Sequence, residues 1–162
     1  MVIGNNINYL NKFMTLKNFD LELIHFFRRV SIPVARFALF VVFFWFGLLK
    51  VVGLSPASGL VQRLFESSIS FMSFGIFLIC FGIFECLIGI LFLIKGAERV
   101  VIPLLLVHMI TTFGPLVLLP SETWQQFMVP TLEGQYIIKN LVIIAAGIGI
   151  AAHLHPFKKN PV

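Results

Sequence analysis

The sequence predicts an all-α fold: an integral membrane bundle of four helices behind an N-terminal amphipathic interfacial helix, with both termini cytoplasmic. Three observations predict it. The chain of 162 residues is 59% hydrophobic and only 12% charged, with a mean hydropathy of +0.99, far from the composition of a soluble domain. Its apolar residues fall into four long runs, enriched in phenylalanine, which is favourable in lipid. Its basic residues gather at the ends of those runs, where they act as topology signals. The expected organisation is a polar segment and interfacial helix over 1–31, a four-span domain over 32–155 with spans at about 32–54, 69–94, 100–119 and 136–154, and a tail over 156–162.

The first thirty or so residues lack an uninterrupted short apolar core and a small-residue cleavage site, so they are expected to be retained. Leu16, Phe19, Leu23, Phe26, Phe27 and Val30 recur at helical spacing, with Lys17, Asp20, Glu22, Arg28 and Arg29 mostly on other faces. That pattern predicts an amphipathic helix over 18–30, lying in the interface. The first span follows. Phe37–Leu49, between Arg36 and Lys50, is too short to cross roughly 30 Å of hydrocarbon, so one or both charges lie at membrane depth or snorkel outward. Pro56 and Gly59 mark a loop, and Leu60, Val61, Leu64 and Phe65 predict a short re-entrant or interfacial helix within it.

The second span, Ile69–Ile94, holds one ionisable group, Glu85. Gly75, Gly82, Gly89 and Gly96 recur at a seven-residue spacing, which predicts a glycine seam along one helix face for close helix approach. Glu85 sits three residues after Gly82 and points into the bundle on that seam. A similar Asp at mid-helix is disfavoured by roughly 2.5–3.5 kcal/mol, so such an acid is normally protonated, paired or functional. Lys95–Arg99 is a tight connection. In the third span His108, Thr111, Thr112 and Pro115 form one polar stripe, and Gly114–Pro115 bends or ends the helix. Pro120–Tyr136 is the longest loop, with Trp124 and Tyr136 suited to the membrane–water boundary. The fourth span opens with Lys139 and Asn140 and ends in a small-residue surface from Ala145 to Ala152.

Lys12, Lys17, Arg28, Arg29, Arg36, Lys95, Arg99, Lys158 and Lys159 fall on one side. Lys50, Arg63 and Lys139 remain for the other, so the positive-inside rule places both termini in the cytoplasm. No basic run with interleaved aromatics sits on a soluble surface, so nucleic acid is not an expected partner. Cys80 and Cys86 lie about 120° apart on one helix and form no redox or zinc motif. His153 and His155 face different ways, beside Lys158 and Lys159, and no metal site is expected. No nucleotide loop or catalytic triad motif is present.

Depth along the spans sorts the polar groups into two layers. Glu85, about nine residues or roughly 14 Å from the cytoplasmic end, matches His108 in depth. With Arg36 below and Thr111 and Thr112 beside them, these residues form a candidate intramembrane cluster able to relay a proton or bond a quinone carbonyl. Lys50 and Lys139, with Asn140, Glu66, Glu122 and Trp124, form a candidate outer pocket for an anion or polar headgroup. The structural alternatives are a helix-gluing hydrogen bond for the first and snorkelling lysines paired with loop acids for the second.

Three stretches carry a resemblance: Phe44-Trp45-Phe46-Gly47-Leu48-Leu49-Lys50, Gly82-Ile83-Phe84-Glu85-Cys86-Leu87-Ile88-Gly89 and Gly134-Gln135-Tyr136-Ile137-Ile138-Lys139-Asn140-Leu141. Together they resemble the DoxX-like superfamily of four-span membrane proteins, and within it the YkgB/RclC-like branch associated with reactive-chlorine resistance, over most of Ser31–His153. In that branch an acid usually follows a few residues after the lysine, whereas here Lys50 runs into Val51-Val52-Gly53-Leu54-Ser55-Pro56. The resemblance implies a bacterial inner-membrane bundle with a role in oxidative-stress or quinone-coupled redox physiology, since relatives include small membrane subunits of thiosulfate:quinone oxidoreductase.

Three functions follow as expectations. The first is a quinone-proximal subunit without its own redox centre, no cofactor being evident beyond a quinone. The second is a small transporter or channel for an anion or weak acid. The third is a structural or assembly subunit. The partners expected are the lipid bilayer, a membrane or redox subunit, or a second copy of the chain.

Overall fold

A computed structural model describes residues 2–68 and 72–154, with side chains from Leu16 onward. The start of the expected second span, 69–71, and the basic tail, 156–162, lie outside the described residues. Four helices are long and apolar enough to cross a membrane: Leu16–Val51, Phe74–Leu93, Glu98–Leu118 and Leu132–Ala151. The chain divides into two compact units, Met1–Val34 and Ala35–Val162.

In the first unit, side chains from Leu16 to Arg29 are exposed on every face. Helical assignment runs without a break from Val2 to Val51 as α1, with Pro33 inside it. The separate interfacial helix expected over 18–30 therefore has no boundary of its own in the backbone.

The second unit holds the bundle. Its end of α1 stops where Gly53 takes up φ +74. Leu54 N–H bonds to Leu49 O at 2.8 Å and Gly53 N–H to Lys50 O at 3.2 Å. This is the reciprocal pair of a Schellman cap, and a glycine meets it without steric conflict. Helix α2, Ser58–Ser68, buries Phe65. Helix α3, Phe74–Leu93, ends before Gly96, whose φ of +91 turns the chain into α4, Glu98–Phe113.

Pro115 has no N–H to continue α4, so Gly114 N–H takes Thr111 O at 3.2 Å, and a short α5, Pro115–Leu118, resumes beyond this joint. The expected loop at 120–136 is more ordered than the sequence suggests. It contains α6, Pro120–Thr123, and a two-stranded antiparallel hairpin of β1, Trp124–Gln126, and β2, Val129–Pro130. Helix α7, Leu132–Ala151, starts four residues earlier than expected because Thr131 caps it, accepting from Gly134 N–H at 3.1 Å.

Glycines set the close crossings. A Cβ on Gly47 would stand 2.6 Å from Gly82 O, one on Gly82 2.7 Å from Gly47 O, and one on Gly89 2.8 Å from Phe44 N. Thus α1 and α3 run antiparallel with their backbones in contact. Gly147 similarly receives Leu105, joining α4 to α7. The expected seven-residue seam holds only in its middle. Gly75 has open space around it, and Gly96 serves the turn, not a helix face.

Polarity in this unit is reversed relative to a soluble domain. Lys50, Glu85, Glu98 and His108 are buried, while Trp45, Ile76, Ile110, Val142 and many other large apolar side chains are exposed. An apolar exterior on spanning helices fits a multi-pass membrane protein.

Candidate functional site: a buried lysine–glutamate–histidine cluster

A buried polar cluster in the bundle is built by the α1–α3 crossing. Gly47 precedes Lys50 by three residues, and Gly82 precedes Glu85 by three. Each glycine and its charge therefore share a helix face, and bringing the glycines together brings the charges together. Helical side chains lean toward the N-terminus of their own helix. In an antiparallel pair Lys50 and Glu85 therefore lean toward each other. Lys50 Nζ stands 2.6 Å from Glu85 Oε2. The other carboxylate oxygen, Oε1, lies 3.4 Å from His108 Nε2 on α4. Both oxygens of Glu85 are thus engaged, one by an ammonium and one by an imidazole.

Phenylalanines close the cluster. The His108 ring meets Phe43 edge-on at 5.3 Å, Phe81 at 5.1 Å and Phe84 at 6.0 Å between centroids. Lys50 Nζ also lies 5.6 Å from the Phe81 ring centre, within cation–π range. A proton on Nε2 lets the ring donate to Glu85. Nδ1 then carries the free lone pair, and it is buried without a hydrogen-bond partner. An ion pair removed from water persists only with good geometry and supporting hydrogen bonds. Here the support comes from one imidazole and aromatic faces.

Arg36 lies apart from this cluster. It belongs to the other end of the bundle segment of α1, about 21 Å from Lys50 along the helix. Its Nε donates to Phe92 O at 2.7 Å and its guanidinium pairs with Glu98. Phe92 O is one of the terminal carbonyls that α3 cannot satisfy itself, and Glu98 occupies the first turn of α4, where an acid suits the helix dipole. Arg36 therefore staples the α3–α4 turn to α1. Thr111 and Thr112 do not face Glu85. Both donate to His108 O, at 2.7 and 3.1 Å, within their own helix.

The residues expected to form an outer pocket are not brought together. Lys50 has gone to Glu85. Lys139 covers the Tyr136 ring at 4.8 Å, and Asn140 donates to Tyr136 O at 3.3 Å. Glu66 accepts from Gln62 at 2.8 Å. Glu122 pairs with Arg63 at 2.8 Å, and Trp124 Nε1 donates to Leu116 O at 3.1 Å. Each thus has a contact of its own, and none of these contacts joins them into one pocket. The Arg63–Glu122 pair does show that the two long connections meet at one end of the bundle.

Lys50 thus belongs with Glu85 and His108 and not with the expected outer layer, and Arg36 belongs with the α3–α4 turn and not with Glu85. The matched Gly-x-x-Lys and Gly-x-x-Glu spacings were the signal that could have paired Lys50 with Glu85.

Among the described residues no group of three His, Cys, Asp or Glu could hold a metal. A shallow groove of about 510 Å³ runs along α4, α5 and α7, lined by Leu106, Met109, Ile110, Phe113, Gly114, Val117 and Ile144. Its lining offers no side-chain donor to a quinone carbonyl. Comparison with protein-family models, with curated proteins and with solved structures gave no match.

Proposed function

We propose that the chain is a DoxX-like multi-pass protein of a bacterial inner membrane. In this reading it serves redox or oxidative-stress physiology beside a partner subunit, and Lys50–Glu85–His108 is its proton-holding centre. The observation that carries the reading is the contact chain itself, 2.6 Å from Lys50 to Glu85 and 3.4 Å from Glu85 to His108, in a bundle whose exterior is apolar. Three groups that each bind and release protons meet where water is excluded, and Nδ1 of His108 is left as an unoccupied acceptor. In this reading the contact chain lets a carboxyl and an imidazole share a proton within the bundle.

In this reading both termini lie in the cytoplasm, and the distribution of basic residues supports it. The meeting of the two long connections through Arg63 and Glu122 is consistent with an even number of crossings. The stretch 18–30 lies in the interface on the cytoplasmic side in this reading.

The test is complementation. Cells lacking the protein are challenged with hypochlorous acid. The wild-type chain restores growth and Glu85→Gln, which keeps the shape and removes the titrating group, does not. Equal rescue by Glu85→Gln would sink the proposal.

A second reading, proton-linked passage of a weak acid, is favoured by one fact. Lys50 is an interior cation that an anion would meet if Glu85 took up a proton. Acidification of dye-loaded vesicles by a permeant-free weak acid, dependent on Lys50, separates it from the first. An assembly role without proton chemistry predicts that Glu85→Gln, where it folds, rescues growth as the wild-type chain does.

A further inference from the structure

The hairpin between α6 and α7 has a tip that its own chemistry does not explain. Gln126 and Val129 face each other across the turn, which leaves Phe127 and Met128 as its two central residues. Phe127 is 94% exposed and Met128 72% exposed. Met128 also holds φ +61, a left-handed conformation that glycine or asparagine adopts far more readily than a long side chain. A turn that needs only to reverse the chain would carry polar residues there. This one presents a phenylalanine and a methionine to the outside, one of them in a strained backbone position.

The base beneath the tip is rigid. Trp124 Nε1 is tied to Leu116 O at 3.1 Å and Thr131 N–H to Thr123 O at 3.0 Å. A Cβ on Gly134 of α7 would clash with Thr123 O and would stand 3.0 Å from Pro130. The tip is therefore held by the ends of the spanning helices. From Trp124 to Leu132 the chain carries no charge. The helix ends on either side continue the apolar surface, through exposed Val117 and Leu118 before the hairpin and exposed Leu132 and Tyr136 after it.

We propose that the Phe127–Met128 tip is a membrane anchor, seated in the lipid interface of the leaflet at that end of the bundle. The occupant is lipid for two reasons. The apolar tip adjoins exposed apolar side chains at the ends of helices long and apolar enough to span a membrane. It also carries no charged residue from Trp124 to Leu132, so no ion is taken out of water when it enters the interface. Trp124 at the base is the residue type that settles at the headgroup level. The anchor fixes the α5–α7 connection against the bilayer, independently of any proton chemistry at Glu85.

The experiment uses the full chain with Cys80→Ala and Cys86→Ala, carrying Phe127→Cys labelled with a nitroxide, in phospholipid vesicles. Collisions with oxygen, which concentrates in lipid, are compared with collisions with a water-soluble nickel chelate. Relaxation dominated by oxygen is expected. Relaxation dominated by the chelate places the tip in water and overturns the proposal. Low accessibility to both places it under protein and overturns it equally. Met128→Cys in the same background is read in the same way, so a folding failure of one variant leaves the other to decide.

Discussion

Two acid–base pairs hold α1 to the α3–α4 hairpin, and they are built from different chemistry. At the turn, Arg36 reaches a backbone carbonyl and a glutamate at once, with side chains 13% and 11% exposed. At the crossing, Lys50 meets a glutamate that also faces a histidine, with lysine and glutamate side chains 8% and 7% exposed. A guanidinium is planar, holds several acceptors in fixed directions and does not give up its proton. It suits a joint that must stay closed. Lysine, glutamate and histidine all exchange protons, and a lysine ammonium is a point charge without preferred partners. The comparison separates a fastening of fixed charge from a cluster whose residue types are ones that exchange protons.

The largest expected effect comes from leaving one of these charges alone. Lys50→Met strands Glu85 among phenylalanines and should lower stability by about 3–5 kcal/mol, the range for breaking a buried pair. Denaturation in mixed micelles measures it. Lys50→Met combined with Glu85→Met should recover most of that loss, since an apolar pair of similar volume fills the same space. If the double variant stays as unstable as the single, the pair stabilises the bundle in its own right and the contrast with Arg36 fails.

Next is the crossing that brings the charges together. Gly82→Ala forces a methyl group within 2.7 Å of Gly47 O and 2.9 Å of Lys50 Cβ, and the overpacking should cost about 1–3 kcal/mol. Gly75→Ala, one step earlier in the seven-residue series, meets nothing within 4 Å and should be neutral or stabilising by about 0.5–1 kcal/mol, as for a glycine removed from a helix. Equal thermal midpoints for the two variants would remove the crossing as the cause of the Lys50–Glu85 contact.

Arg36 gives the opposite result in the paired experiment. Arg36→Met should destabilise by about 1–3 kcal/mol. Adding Glu98→Met should not restore it, because Phe92 O still lacks its donor. Recovery in the double variant would mean that the carbonyl bond contributes little and that Arg36 behaves as Lys50 does.

The spanning helices were legible because hydropathy alone decides them, and Glu85 inside the bundle was legible from Gly82. Three things were not. Helical rise alone gives Lys50 a depth outside the Glu85 layer, and only the lean of the side chain carries its ammonium into that layer. The seven-residue glycine series looked like one seam, yet two of its members serve other ends. Gly96 needs a positive φ for the turn, and Gly75 lies beyond the crossing. The partners of Glu122 and Trp124 depend on how α2 and the hairpin fold over the bundle end. That is a matter of contacts between distant segments, and no local spacing records it.

The smallest effect tests the connections at that end. Arg63 and Glu122 lie 2.8 Å apart, but their side chains are 46% and 34% exposed. An exposed pair of this kind contributes about 0–1 kcal/mol and is screened by salt. Arg63→Gln should therefore shift the unfolding midpoint barely at low ionic strength and not at all at high salt. Lys50→Met should keep its full effect in both, because salt does not reach a pair enclosed by Phe43, Phe81 and Phe84. A salt-sensitive Lys50→Met would mean that ions enter the crossing, and the cluster would then be a wetted site open to solvent.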